Sequence, residues 1–271
     1  VTQLIAVGVT NYVAGPFMIP MTEALGWTRS EYTIPRALGG FVTAFVGFFI
    51  GTWVDRHGGR RFVFIGALLG AAALWFHAYI QTLAGWIVLN GLVLMVASAL
   101  LGPLVVNVTL SKWFVEVRGR AVAWAAMGVS FAGIAITPFS TWAIDQWGWR
   151  AAWQVLAVAT LVVAAPMSVF MRRRPEDHGL RPVGMTDAVV EAGHAARAEA
   201  DFTNSVTRAQ ALRSPTFYLL VLAFGLFTVN ISVMLLHTVP YMTDMGYTRA
   251  TAALMITVTC LLYTSPSPRD S

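Results

Sequence analysis

Five histidines, one cysteine and 13 carboxylates are the groups in this chain that could move protons, hold a metal or attack a substrate. Their spacing supports none of these. His57, His77, His178, His194 and His237 form no helical pair flanked by a glutamate, the arrangement that holds zinc. Cys260 stands alone, which excludes an internal disulfide or a cysteine metal site. Gly128-Val-Ser130-Phe-Ala-Gly133 misses the nucleophile-elbow spacing by one residue, and no glycine-rich phosphate loop carries a lysine. The expectation is a protein that is not an enzyme, with no metal and no cofactor.

What remains is a set of polar side chains inside apolar runs: Asn11 and Tyr12 in the first, Asn90, Ser98 and Asn107 in the fourth, and Asn230, Ser232, His237 and Tyr241 in the seventh. Amides and hydroxyls held in low dielectric can orient a small polar solute. The same groups can instead tie helices together, at less than about 1 kcal/mol each. Arg36 lies a short way into the second run, where it either draws an anion into an outer cavity or snorkels to the headgroups.

The elements that must position these groups are membrane helices. The 271 residues are 57% hydrophobic and only 11% charged, with mean hydropathy +0.66, against roughly 25% charged in soluble domains. Crossing a hydrocarbon core of about 30 Å takes roughly 20 helical residues. Seven runs meet that length, near 1–21, 33–54, 62–81, 86–110, 120–144, 151–171 and 215–239, with a fragment of an eighth at 248–259. The net charge of +5 is not a nucleic-acid signal, because the bases sit at the ends of apolar runs.

Alternate loops carry unequal numbers of bases. Arg56, Arg60, Arg61, Lys112, Arg118, Arg120 and seven arginines of the 172–214 segment fall in one set, and Arg29, Arg36, Arg150 and Arg249 in the other. Bases stay on the cytoplasmic side, so the first set, the 172–214 segment and Val1 are expected inside. Thr28 reads as a helix N-cap with Glu31 as its capping-box partner. Pro20, Gly26, Thr28 and Arg29 return as Pro240, Gly246, Thr248 and Arg249, the mark of a second half starting again. Gly47 with Gly51, and Gly66 with Gly70, are spaced for close helix approach. Trp142, Trp147, Trp149 and Trp153 are placed as an aromatic belt would be.

The loop Gly51-Thr-Trp-Val-Asp55-Arg56-His57-Gly58-Gly59-Arg60-Arg61 holds three bases, one acid and a reversal. Its spacing, filled at Gly51, Asp55, Arg56, Gly58, Arg60 and Arg61, resembles the loop between helices 2 and 3 of the major facilitator superfamily. The second basic loop, with Trp113, Phe114, Arg118 and Arg120, together with Asp145-Gln-Trp-Gly-Trp-Arg150, is similar to the monocarboxylate-porter-like branch.

That resemblance implies an all-α bundle: a six-helix half over 1–171, a cytoplasmic linker over 172–214, and helix 7 with the start of helix 8 over 215–259. It implies a secondary carrier in a bacterial cytoplasmic membrane, moving a small solute of the monocarboxylate or other organic-anion class by alternating access. A membrane sensor or assembly protein that keeps the carrier fold is the alternative. Helices 1, 4 and 7 would line the solute path, and Asp55 with the loop arginines would form a charge latch. With no Asp or Glu inside the seven runs as drawn, a coupling proton would need His237 or a group beyond this chain. Val1 opens directly onto an apolar run, so the natural start is expected upstream. Residues 260–271, Cys-Leu-Leu-Tyr-Thr-Ser-Pro-Ser-Pro-Arg-Asp-Ser, look like translated sequencing adapter and are expected to be foreign to the fold.

Overall fold

The computed structural model describes residues 1–114, 118–171 and 208–263. The side chains of Asp55 and Arg118, most of the 172–214 linker and the tail after residue 263 lie outside the described residues. Every element in the described parts is a helix.

Helix α1 (Thr2–Leu25) widens into a π-helical turn over Gly8–Tyr12. It stops at Gly26, whose φ of 68° is left-handed and open to glycine without strain. Thr28 then caps α2 (Arg29–His57): its Oγ1 accepts from the Glu31 N–H at 3.2 Å, and the Glu31 carboxylate accepts from the Thr28 N–H at 2.8 Å. The capping box read from the sequence is present. Helix α3 (Gly59–His77) follows directly, after Gly58 at φ 79°. Helix α4 (Leu83–Trp113) carries a second π-helical stretch at Ile87–Leu94 and a break at Gly102, with Pro103 restarting it.

The run Arg118–Phe170 is two helices, because Gly148 (φ 77°, ψ 163°) is non-helical inside it; we call them α5 (118–147) and α6 (149–170). A short helix, Arg208–Arg213, leads into α7 (Pro215–Asp244), and α8 (Arg249–Tyr263) closes the described chain. A helix covers each expected run, and each extends past its apolar stretch at one end or both. Glu23, Glu31, Asp145 and Asp244 therefore sit in helical end turns that the apolar pattern alone does not include. Helix α8 also continues past 259, since Cys260-Leu-Leu-Tyr offers no helix breaker before Ser265-Pro266.

Aromatic packing joins α1, α2, α3, α4 and α6. Phe17 stacks on Trp153 at 3.9 Å between ring centroids, and Tyr32 stacks on Trp86 at 5.1 Å. The Trp86 indole N–H donates to the Tyr32 carbonyl at 2.9 Å, and that of Trp153 to Met21 Sδ at 3.4 Å. His77 is fully buried between the two indoles, 5.0 and 4.8 Å away. Lipid tails are as apolar as leucine, so shape-matched packing of this kind, and not water exclusion, holds membrane helices together.

Two expectations need correction here. Trp153 and Trp149 are core residues, 1% and 9% exposed, whereas Trp142 and Trp147 are half exposed as a belt requires. The belt expectation rests on position near a helix end, and burial depends on which side of α6 meets α1. Of the glycine pairs, Gly66 is in tight contact: a Cβ there would lie 2.9 Å from Leu100 Cβ and 3.1 Å from the Ala97 carbonyl. Gly51 has nothing within 4 Å, and Gly47 meets only Leu104 Cδ1 at 3.7 Å. Neither of these two glycines is therefore in tight helix contact.

The two ends of the bundle differ. At one, the α1–α2, α3–α4, α5–α6 and α7–α8 turns gather, tied by Arg29 to Asp244, Arg249 to Asp145, and Arg150 Nη1 donating to the Ala78 carbonyl at 2.7 Å. At the other, the Gly58–Gly59 turn packs near Thr109 and Met171. We refer to these as the Trp27 end and the Arg60 end.

Candidate functional site

The polar residues of α1, α4 and α7 do not form one file. They separate into three groups.

Nearest the Trp27 end, Arg36 of α2 turns inward. Its Nη1 donates to the Thr10 carbonyl and its Nη2 to Asn11 Oδ1, both at 2.6 Å. The inward turn overrules snorkelling: the π-helical turn of α1 presents a carbonyl and an amide that a guanidinium satisfies better than distant headgroups do. Thr10, Arg36 and Asn90 share a small enclosed chamber with Tyr32, Trp86 and Trp153.

In the same π-helical turn, Tyr12 is 7% exposed and borders a second cavity of about 250 Å³. Its walls come from α1 (Tyr12), α5 (Val129, Ser130), α7 (Asn230, Ile231, Met234, Leu235) and α8 (Thr259, Cys260). The Cys260 thiol donates to the Tyr12 hydroxyl at 3.6 Å. This cavity lies between the first six helices and the pair α7 and α8, and hydroxyl- and amide-bearing residues from both sides are among its mostly apolar walls.

The third group points away from both cavities. Asn107 Oδ1 accepts from Gln3 Nε2 at 3.3 Å, and Ser98 Oγ donates to the Ala6 carbonyl at 3.5 Å. Asn107 belongs to the Arg60 end of α4, so helix membership did not put it at mid-depth. His237 and Tyr241 are exposed on α7, the latter at 61%, and border none of these spaces. Gln3, Thr10 and Ser130 are lining or bonding residues that the sequence expectations omit. Gln3 and Thr10 are seven apart, two helical turns on one face of α1, a signal the sequence does contain.

In the basic loops, Arg56, Arg60 and Arg61 are exposed, Gly58 is buried and Gly51 is half-buried. Whether Asp55 closes a latch with them lies outside the described residues. Phe114 and Arg120 line a groove of about 540 Å³ with Leu110, Ala121, Trp124 and Ala125, while Trp113 is half-buried beside it.

With the α-helical bundle, its inter-helix cavity and its Asp55 loop described, comparison with known proteins decides the family. The profile of the Major Facilitator Superfamily matches residues 2–268. The chain belongs to that superfamily. An uncharacterized MFS-type transporter of Bacillus subtilis (strain 168), YcxA, is 23% identical over 159 residues, which is 59% of this chain and 39% of that protein. The chain thus spans about two fifths of the relative in that match. As a superfamily member it is an integral membrane protein of a transporter family, with six apolar helical runs among the described residues long enough to cross, one of them the α5–α6 pair. The profile also covers 260–268, part of the segment that resembles adapter sequence.

Proposed function

We propose that the chain supplies the first six-helix half, and the first two helices of the second, of a secondary active transporter. The carried solute is small and of the organic-anion class, monocarboxylates included. The observation that carries this reading is the 250 Å³ cavity whose walls come from both sides of the 172–214 linker. Tyr12 and Ser130 on one side and Asn230 on the other would hold the solute by hydroxyl and amide contacts. Rocking of one bundle against the other would expose that cavity to each side in turn.

In this reading the Arg60 end faces the cytoplasm of a bacterium, in keeping with the excess of bases there. Asp55 and the loop arginines would then latch the cytoplasmic side shut in the outward-facing state. Proton coupling would draw on a group contributed from beyond these helices, since His237 faces away from the cavity.

Uptake by proteoliposomes holding the complete gene product tests this. Concentrative flux of a radiolabelled monocarboxylate or related acid, abolished by Tyr12→Ala with Asn230→Ala, is the expected result. Binding without net flux would support the sensor reading in its place.

A further inference from the structure

Gly133 is buried where α1, α5 and α8 meet, and the Tyr12 ring rests on it. A Cβ there would lie 2.6 Å from Tyr12 Cε1 and 3.1 Å from its Cζ, and closer still to Cys260 Sγ. Packed atoms do not approach one another this closely, so any side chain at 133 must displace a neighbour.

The ring has one direction in which to yield. Thr137, one turn beyond Gly133, donates its Oγ1 to the Tyr12 carbonyl at 3.4 Å, which ties the Tyr12 backbone to α5. A Cβ on Gly8 would lie 2.9 Å from Ile136 Cγ1, so α1 is already against α5 one turn before Tyr12 as well. Gly133 is not itself a wall of the cavity, whereas Tyr12 and Ser130 are. The ring therefore stands between Gly133 and the cavity, and a methyl behind it would tip it into that space. Ile231, Met234 and Leu235 of α7 are also walls, and they suit an aliphatic body. A hydrophobic pocket separates ligands that differ by one methylene by about 10–200-fold.

We propose that Gly133 is the specificity-determining residue of the Tyr12–Asn230 cavity. Having no side chain, it sets how deep the Tyr12 ring sits, and with that the length of aliphatic body that a carried acid can have. The solute class rests on the carrier reading above; the size of the cavity does not.

The size is tested on the chain in lipid nanodiscs, with Ser130→Cys as the reporter in a Cys260→Ser background. Its labelling rates with N-methylmaleimide and the bulkier N-cyclohexylmaleimide are compared. Gly133→Ala should slow the bulky reagent about tenfold relative to the small one. Tyr12→Leu added to that variant should return the ratio to its starting value. An unchanged ratio in Gly133→Ala, with helicity intact, overturns the role of Gly133. Should Gly133→Ala fail to fold, Tyr12→Leu alone decides: it should favour the bulky reagent, and an unchanged ratio has the same meaning.

The solute is tested on the complete gene product in proteoliposomes with radiolabelled acetate, butyrate and hexanoate. Gly133→Ala should raise the ratio of KM for the longest carried acid to KM for acetate about tenfold. KM values that rise together, or a loss confined to the maximal rate, make Gly133 a packing residue only and overturn its part in specificity. If the wild type carries none of these acids, the monocarboxylate reading and the solute half of this assignment fall together, while the labelling ratios still decide whether Gly133 sets the cavity.

Discussion

Arg29, the first residue of α2, and Asp244, the last of α7, form a two-pronged ion pair at 2.7 and 2.8 Å. Each sits at the unfavourable end of its own helix dipole: a base at an N-terminus, an acid at a C-terminus. Arg249, first in α8, and Asp145, near the end of α5, repeat the arrangement at 3.3 Å. Only the partner across the interface offsets each misplaced charge. Separating α2 from α7, or α5 from α8, leaves two charges facing the wrong dipole ends, and opening both interfaces leaves four, which biases the Trp27 end toward closure.

Asp244→Asn should open that end. The pair is half exposed, with side chains 48% and 50% accessible, so global stability should fall by no more than about 1 kcal/mol. Labelling of Asn230→Cys, in a Cys260→Ser background, by an impermeant maleimide added on the Trp27 side should speed up roughly fivefold. The double exchange Arg29→Asp with Asp244→Arg should restore slow labelling. If it labels as fast as the single variant, the ion pair does not hold the end shut.

Glycine substitutions should separate by contact and not by sequence motif. Gly91→Ala forces a methyl against the Pro35 backbone, which cannot yield as a side chain can, and should cost about 1–3 kcal/mol. Gly51→Ala, with nothing within 4 Å, should leave thermal stability of this chain unchanged. Melting curves in detergent decide; equal losses at both positions would mean that α2 and α4 are not packed as described.

His77 packs as an apolar ring. Both of its nitrogens are buried without a hydrogen-bond partner between Trp86 and Trp153. His77→Phe keeps the shape and removes two unsatisfied atoms, so it should be neutral or stabilising. His77→Ala should lose about 2–4 kcal/mol through the cavity it opens. A large loss in the phenylalanine variant would show that the imidazole has a polar task.

In the complete transporter, Asp55→Asn should cut uptake by at least about tenfold while membrane insertion stays intact, because a charge-assisted hydrogen bond is worth about 1.5–3 kcal/mol. Normal uptake by that variant would remove Asp55 from the mechanism.

Local rules make much of this chain legible from residue order alone. The crossing count follows from run length, and the Thr28–Glu31 cap from two residues three apart. The repeat at Gly246 holds as geometry: Gly26 and Gly246 both have positive φ, at 68° and 89°, and the Thr251 N–H donates to Thr248 Oγ1 at 3.2 Å. A further repeat gains its meaning only from the backbone. Asp55-x-x-Gly58-x-Arg60 recurs as Asp145-x-x-Gly148-x-Arg150, and the two glycines share one conformation, φ 79°, ψ 161° and φ 77°, ψ 163°, at opposite ends of the bundle.

Run length, loop charge and turn residues were enough to determine the membrane class, the number of helices and the family loop, since each depends on neighbours along the chain. Tertiary structure alone decided that Arg36 turns inward, that Asn107 bonds Gln3 away from the cavities, and that Trp153 is core and not belt. A membrane helix is apolar on its lipid face and on its packed face alike, so periodicity cannot say which side meets another helix. The direction of each polar side chain is fixed only when helices far apart in sequence come within hydrogen-bonding distance.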